Sequence, residues 1–104
     1  MRILAIEKPS TEKRVQDLQP WLDEEARRVW ELYREGYVRD IWFTLSDRRA
    51  VLLLECASAE EATRLLKTLP LVREQCIAFE VFALRPYDGF ERLFRRCNAT
   101  PPTS

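Results

Sequence analysis

The sequence predicts an α+β domain in the order strand, helix, strand, strand, helix, strand, and three observations carry that prediction. A stripe of apolar residues at helical spacing, Leu18, Leu22, Ala26, Val29, Trp30 and Tyr33, stops at Gly36. Two apolar runs, Tyr37–Thr44 and Ala50–Cys56, flank the polar turn Ser46-Asp47-Arg48-Arg49. Ser58 followed three residues later by Glu61 is the pattern of a helix capping box.

The elements follow in order. Met1–Glu7 is short and mostly aliphatic and reads as a first strand. Lys8–Gln19 is charged and carries Pro9 and Ser10, so it reads as a loop with a turn of helix near its end. Pro20 suits the first turn of the helix that follows, and Asp23, Glu24 and Glu25 complement the positive end of its dipole. Glu24 and Arg28 are spaced to pair on the wet face. Trp21 falls off the apolar stripe. The two apolar runs form a hairpin, with Ala50–Cys56 apolar enough for the middle of a sheet. The helix begun at Ser58 carries Ala62, Leu65, Leu66 and Leu69 on one face and is expected to end at Pro70, with Leu71–Gln75 as a connection. Cys76–Leu84 is the fourth strand, apolar apart from Glu80. Pro86, Asp88 and Gly89 turn the chain, and Phe90, Leu93 and Phe94 form a small amphipathic cluster.

Two interlocked right-handed βαβ crossovers in this order give a ferredoxin-like sandwich, a four-stranded antiparallel sheet with both helices on one face. Residues 1–94 are expected to form that single domain, and 95–104 a flexible C-terminal tail. The third and fourth strands are apolar on both faces, so the face away from the helices needs a cover. A second copy packing sheet to sheet supplies it and gives a dimeric α/β barrel. A homodimer, or a higher oligomer through that face, is the expected assembly.

Composition narrows the function. The 104 residues contain 17 Lys plus Arg and 17 Asp plus Glu, for a net charge of zero. That balance argues against a nucleic-acid footprint and against a polybasic membrane anchor. No apolar run is long enough to cross a bilayer, and Glu7 and Lys8 interrupt the apolar start before it resembles a secretion signal. The three cysteines, Cys56, Cys76 and Cys97, are widely spaced and read as free thiols of a reducing cytoplasm. The chain has no histidine, which removes imidazole bases, Ser-His and Cys-His pairs and histidine metal sites together. Proton chemistry is left to carboxylates, tyrosine, lysine, arginine or thiol.

From the second strand onward the sequence resembles the muconolactone isomerase family of dimeric ferredoxin-like barrels. The residues that carry the resemblance are Gly36-Tyr37-Val38-Arg39-Asp40-Ile41-Trp42, then Ala50, Ser58, Leu69-Pro70-Leu71 and Phe79-Glu80-Val81. It spans roughly two thirds of the chain and implies the fold, an oligomer, and isomerase chemistry that needs no metal or organic cofactor. Asp40 and the piece Arg85–Phe90 depart from the family pattern.

Six residues are candidates for a site. Glu55 and Glu80 each interrupt an apolar strand, and a partly buried carboxylate has the raised pKa that suits a catalytic proton carrier. Arg39 offers a bidentate fork for a small organic acid, or else pairs with Glu55 or Glu80 across the sheet. Trp42, Tyr33 and Tyr37, with Trp30, either line a pocket for such an acid or fill the core. Two functions fit: a cofactor-independent isomerase moving a proton on a small carboxylate or lactone, or a non-catalytic oligomeric module that binds a small molecule or a protein. A closed cavity holding Arg39 and a buried carboxylate favours the first, and a cavity filled by aromatic side chains favours the second.

Overall fold

The computed structural model describes residues 1–9 and 15–94. Strand β1 (Arg2–Glu7) leads to a short helix α1 (Val15–Leu18), a 3-10 turn (Gln19–Trp21) and the main helix α2 (Leu22–Arg34). The hairpin is β2 (Val38–Phe43) and β3 (Ala50–Glu55); α3 (Ala59–Leu66), α4 (Pro70–Arg73), β4 (Phe79–Ala83) and α5 (Glu91–Phe94) complete the order. Every neighbouring strand pair is antiparallel and the sheet order is β2-β3-β1-β4. That is the ferredoxin-like arrangement expected from the sequence. In one chain the sheet is open. The expected tail, 95–104, lies outside the described residues.

Alternation of side chains assigns the two faces. Ile3, Ala5 and Glu7 of β1 share the inner face with Leu52 and Leu54 of β3, Val38, Ile41 and Phe43 of β2, and Phe79 and Val81 of β4. Leu32 of α2, Ala62 and Leu66 of α3, and Leu69 pack on this face and close the core. The outer face carries Leu4, Ile6, Val51, Leu53, Trp42 and Phe82, with Asp40 and Glu80 on its two edge strands. Leu54 is 1% exposed at the centre of the inner face. Leu54→Ala is expected to cost about 2–5 kcal/mol of unfolding free energy, read as a lower urea midpoint at unchanged slope.

Local chemistry explains the helix ends. Gly36, at φ 91°, takes the left-handed position after α2. Ser58 Oγ accepts the Glu61 N–H at 3.1 Å, and Glu61 Oε1 accepts the Ala57 N–H at 2.7 Å, so the capping box forms with its return bond one residue upstream. Pro70 does not close α3, as expected from sequence, but opens α4 at its first position, where the missing N–H costs nothing. The Glu24–Arg28 pair is also replaced. Arg28 bonds Glu31 at 3.0 Å and Thr68 Oγ1 at 2.9 Å, because α3 and its following turn lie beside α2. Trp21 meets α4, with the Arg73 guanidinium 5.7 Å from its ring centre.

Candidate active site

Between α2 and the inner sheet face lies a cavity of about 890 Å³. All six residues of the helical stripe, Leu18, Leu22, Ala26, Val29, Trp30 and Tyr33, line it. Ile41, Phe43, Ala50, Leu52 and Phe79 form the sheet side, and Leu69, Leu71 and Ile77 one end. Leu32, one position from the stripe, makes the core contact in its place and is fully buried. Trp30 and Tyr33 stack at 5.7 Å between ring centres and are 57% and 53% exposed, so they form a rim open to solvent.

Charged groups on this apolar lining are few: Glu7, Glu25, Asp47 and Arg48. Glu7 is 3% exposed because strand alternation turns it to the same side as Ile3 and Ala5; its Oε1 accepts the Ala50 N–H at 3.0 Å. Glu25 belongs to the acidic first turn of α2, yet it sits three residues after Leu22 and four before Val29, on the inward side. Its Oε1 accepts the Leu71 N–H at 2.9 Å, an amide left free at the start of α4. Burial pushes the Glu25 carboxyl above its ordinary value; the Leu71 N–H opposes the shift, and the Glu7 charge adds to it. A carboxyl with that environment, facing an apolar cavity, can accept a proton from a substrate carbon and return it.

The six residues singled out from sequence are distributed as follows. Tyr33 lines the cavity. Tyr37 packs against the core. Trp42 stands on the outer face and is 65% exposed. Arg39 is the extra residue of a β-bulge between Val38 and Asp40 and is exposed. Glu80 is exposed on the outer face beside Ile6. Glu55 binds the Met1 amino group at 2.6 Å and Arg2 at 2.9 Å, and these two partners hold its carboxyl below the ordinary range. The alternative pairing of Arg39 with Glu55 or Glu80 is not formed; Glu55 pairs instead with β1, whose Arg2 is its register partner.

Sequence reasoning missed Glu7, Glu25 and Arg48. The signal for Glu7 was parity along β1 with Ile3 and Ala5. For Glu25 it was the spacing 22, 25, 29, 32, which places it inside the buried side of α2. The two described cysteines, Cys56 and Cys76, are free, and burial raises both thiols, so neither is a ready thiolate. Among the described residues no cluster of three potential metal ligands occurs, and no helix is long and apolar enough to cross a membrane.

The sheet order, with Glu7 buried and Glu25 half-buried between sheet and helix, defines a ferredoxin-like protein with a cavity between α2 and the sheet. Residues 4–89 match the family described as muconolactone delta-isomerase, and the chain belongs to that family. Among solved structures it is similar to 5-chloro-2-hydroxyhydroquinone dehydrochlorinase (TftG) from Burkholderia phenoliruptrix AC1100 in complex with 2,5-dihydroxybenzoquinone. That match has a TM-score of 0.62 at 18% identity and covers 86% of this chain and 98% of that one. It is also similar to a muconolactone isomerase, with a TM-score of 0.63 at 20% identity, covering 83% of this chain and 91% of that one. At these identities the two structures speak for the fold. No curated protein matches the chain in sequence.

Proposed function

We propose that the cavity is the active site of a cofactor-independent isomerase that moves a proton on a small carboxylate or lactone. The observation that carries this is Glu25, a carboxyl with a raised pKa on a mostly apolar, aromatic-rimmed wall. The ionised carboxylate takes a proton from a carbon conjugated with the substrate carbonyl. The double bond shifts along the conjugated system, and the carboxyl returns the proton at its other end. No electrons are gained or lost. Glu7 tunes Glu25 by its charge, and Trp30 and Tyr33 hold the flat face of the substrate. Proton transfer thus falls to Glu25 rather than Glu55, whose pKa moves the wrong way, or Glu80, which faces outward.

The ring bound in TftG is of a size that a cavity of about 890 Å³ accommodates. The protein works in the cytoplasm, where Cys56 and Cys76 stay reduced, and as a homodimer through the outer sheet face. The test is muconolactone in deuterium oxide, followed by proton NMR. The expected result is enzyme-dependent deuterium incorporation with movement of the double bond. No exchange above the buffer rate would leave the non-catalytic binding module as the better reading.

A further inference from the structure

We propose that Arg48, at the tip of the β2–β3 hairpin, is the residue that anchors the carboxylate of the substrate. The assignment rests on the cavity being the reaction site. Among the described residues that line the cavity, Arg48 is the one cation. Its guanidinium lies 4.2 Å from the centre of the Phe43 ring, which fixes the head group against the cavity wall. Asp47, the adjacent carboxylate, is taken by Thr44 Oγ1 and by Arg49 Nε at 2.8 Å. Among the described residues no carboxylate forms an ion pair with Arg48, so its fork remains open to a ligand.

The backbone adds an independent observation. Arg48 has φ 52°, in the left-handed region where glycine and asparagine are at ease and a longer side chain is not. The turn holds it there: Arg48 N–H bonds the Thr44 carbonyl at 3.1 Å and Thr44 N–H bonds the Arg49 carbonyl at 2.8 Å. The loop geometry thus fixes where the Arg48 side chain leaves the backbone, with its head on the cavity wall.

The test uses phenylacetate and its uncharged isostere phenylacetamide as probes, titrated calorimetrically against the full chain at low ionic strength. Wild type is expected to prefer the acid by about tenfold, the value of a charge-assisted bond at a partly exposed site. In Arg48→Asn that preference disappears while phenylacetamide affinity stays within twofold; Arg48→Lys restores part of it. Because asparagine suits the left-handed backbone, the Arg48→Asn melting temperature should not fall, which separates lost binding from lost folding. The preference in wild type should also shrink as salt is added. Equal affinity for the two probes in wild type, or equal weakening of both by Arg48→Asn, overturns the assignment of Arg48 and leaves the cavity reading intact. Failure of both probes to bind, with Trp30→Ala indistinguishable from wild type, overturns the cavity reading and the anchor with it.

Discussion

Glu25→Gln is expected to abolish proton transfer and, at neutral pH, to make the protein more stable. Glutamine keeps an oxygen for the Leu71 N–H that Glu25 now satisfies, so the contact with α4 survives. What is lost is a carboxylate, and removing a general base costs about 10²- to 10⁴-fold in rate. The stability sign follows from the raised pKa. A carboxyl whose folded-state pKa lies above its unfolded value supports the fold fully only below the unfolded value, near 4.5, and that support is lost as pH rises through the folded value. Wild type therefore holds an unfavourable charge at pH 7 that the variant lacks. Urea titrations should show the variant gaining over wild type as pH rises past about 4.5, and no gain below it. Glu7→Gln sharpens the case. It removes the neighbouring charge that helps to raise Glu25, so the acid limb of the pH–rate profile should move to lower pH. A Glu25→Gln enzyme with wild-type exchange of substrate protons, or one less stable at pH 7, would show that Glu25 is not the proton carrier.

The fold was legible because its determinants are local. The period-3.6 stripe on α2, Gly36 after it, the Ser58 cap and the two runs around residues 46–49 each specify their element without reference to the rest of the chain. Pro70 was misread for a local reason too: proline both stops helices and starts them, and only the packing of α4 beside α2 decides which. The site was less legible because it is made of residues whose local roles are ordinary. Glu25 passes for a dipole-complementing acid, Glu7 for the polar end of a strand, and Arg48 for a turn residue. Their meaning depends on which way each faces, and that is fixed by the register of β1 on β3 and by α2 lying across the sheet. The strand carboxylates Glu55 and Glu80 were conspicuous in sequence because they interrupt apolar runs. Parity sends both to the face away from α2. The helical stripe shows the same limit in reverse: its spacing correctly located the inward face, but the inward face of α2 meets a cavity, and Leu32 beside it meets the core.

Two copies are expected to associate through the outer sheet face, and Leu53→Lys to keep them apart as monomers. Two rows cross that face, Asp40-Leu53-Leu4-Phe82 and Trp42-Val51-Ile6-Glu80. Each row is apolar at its centre, on β1 and β3. The carboxylates Asp40 and Glu80 stand on the two edge strands, β2 and β4. An apolar middle with a charged rim is the anatomy of a protein interface rather than of a solvated sheet. The helices already occupy the other face, and a second sheet stacked about 10 Å away is the simplest cover for a flat strand surface. Leu53 lies at the middle of this surface, and a twofold-related pair would bring two of them close together. Replacing both by lysine places two like charges in a dry contact at a cost of several kcal/mol per ion, which weakens association by more than about a thousandfold. Sedimentation equilibrium at micromolar concentration should give twice the chain mass for wild type and for the volume-matched control Leu53→Met, and the chain mass for Leu53→Lys. Circular dichroism of the lysine variant should keep its helix and strand signals, since Leu53 makes no contribution to the inner core. A wild type already monomeric at that concentration, or a lysine variant still dimeric, would mean that something other than a second sheet covers this face.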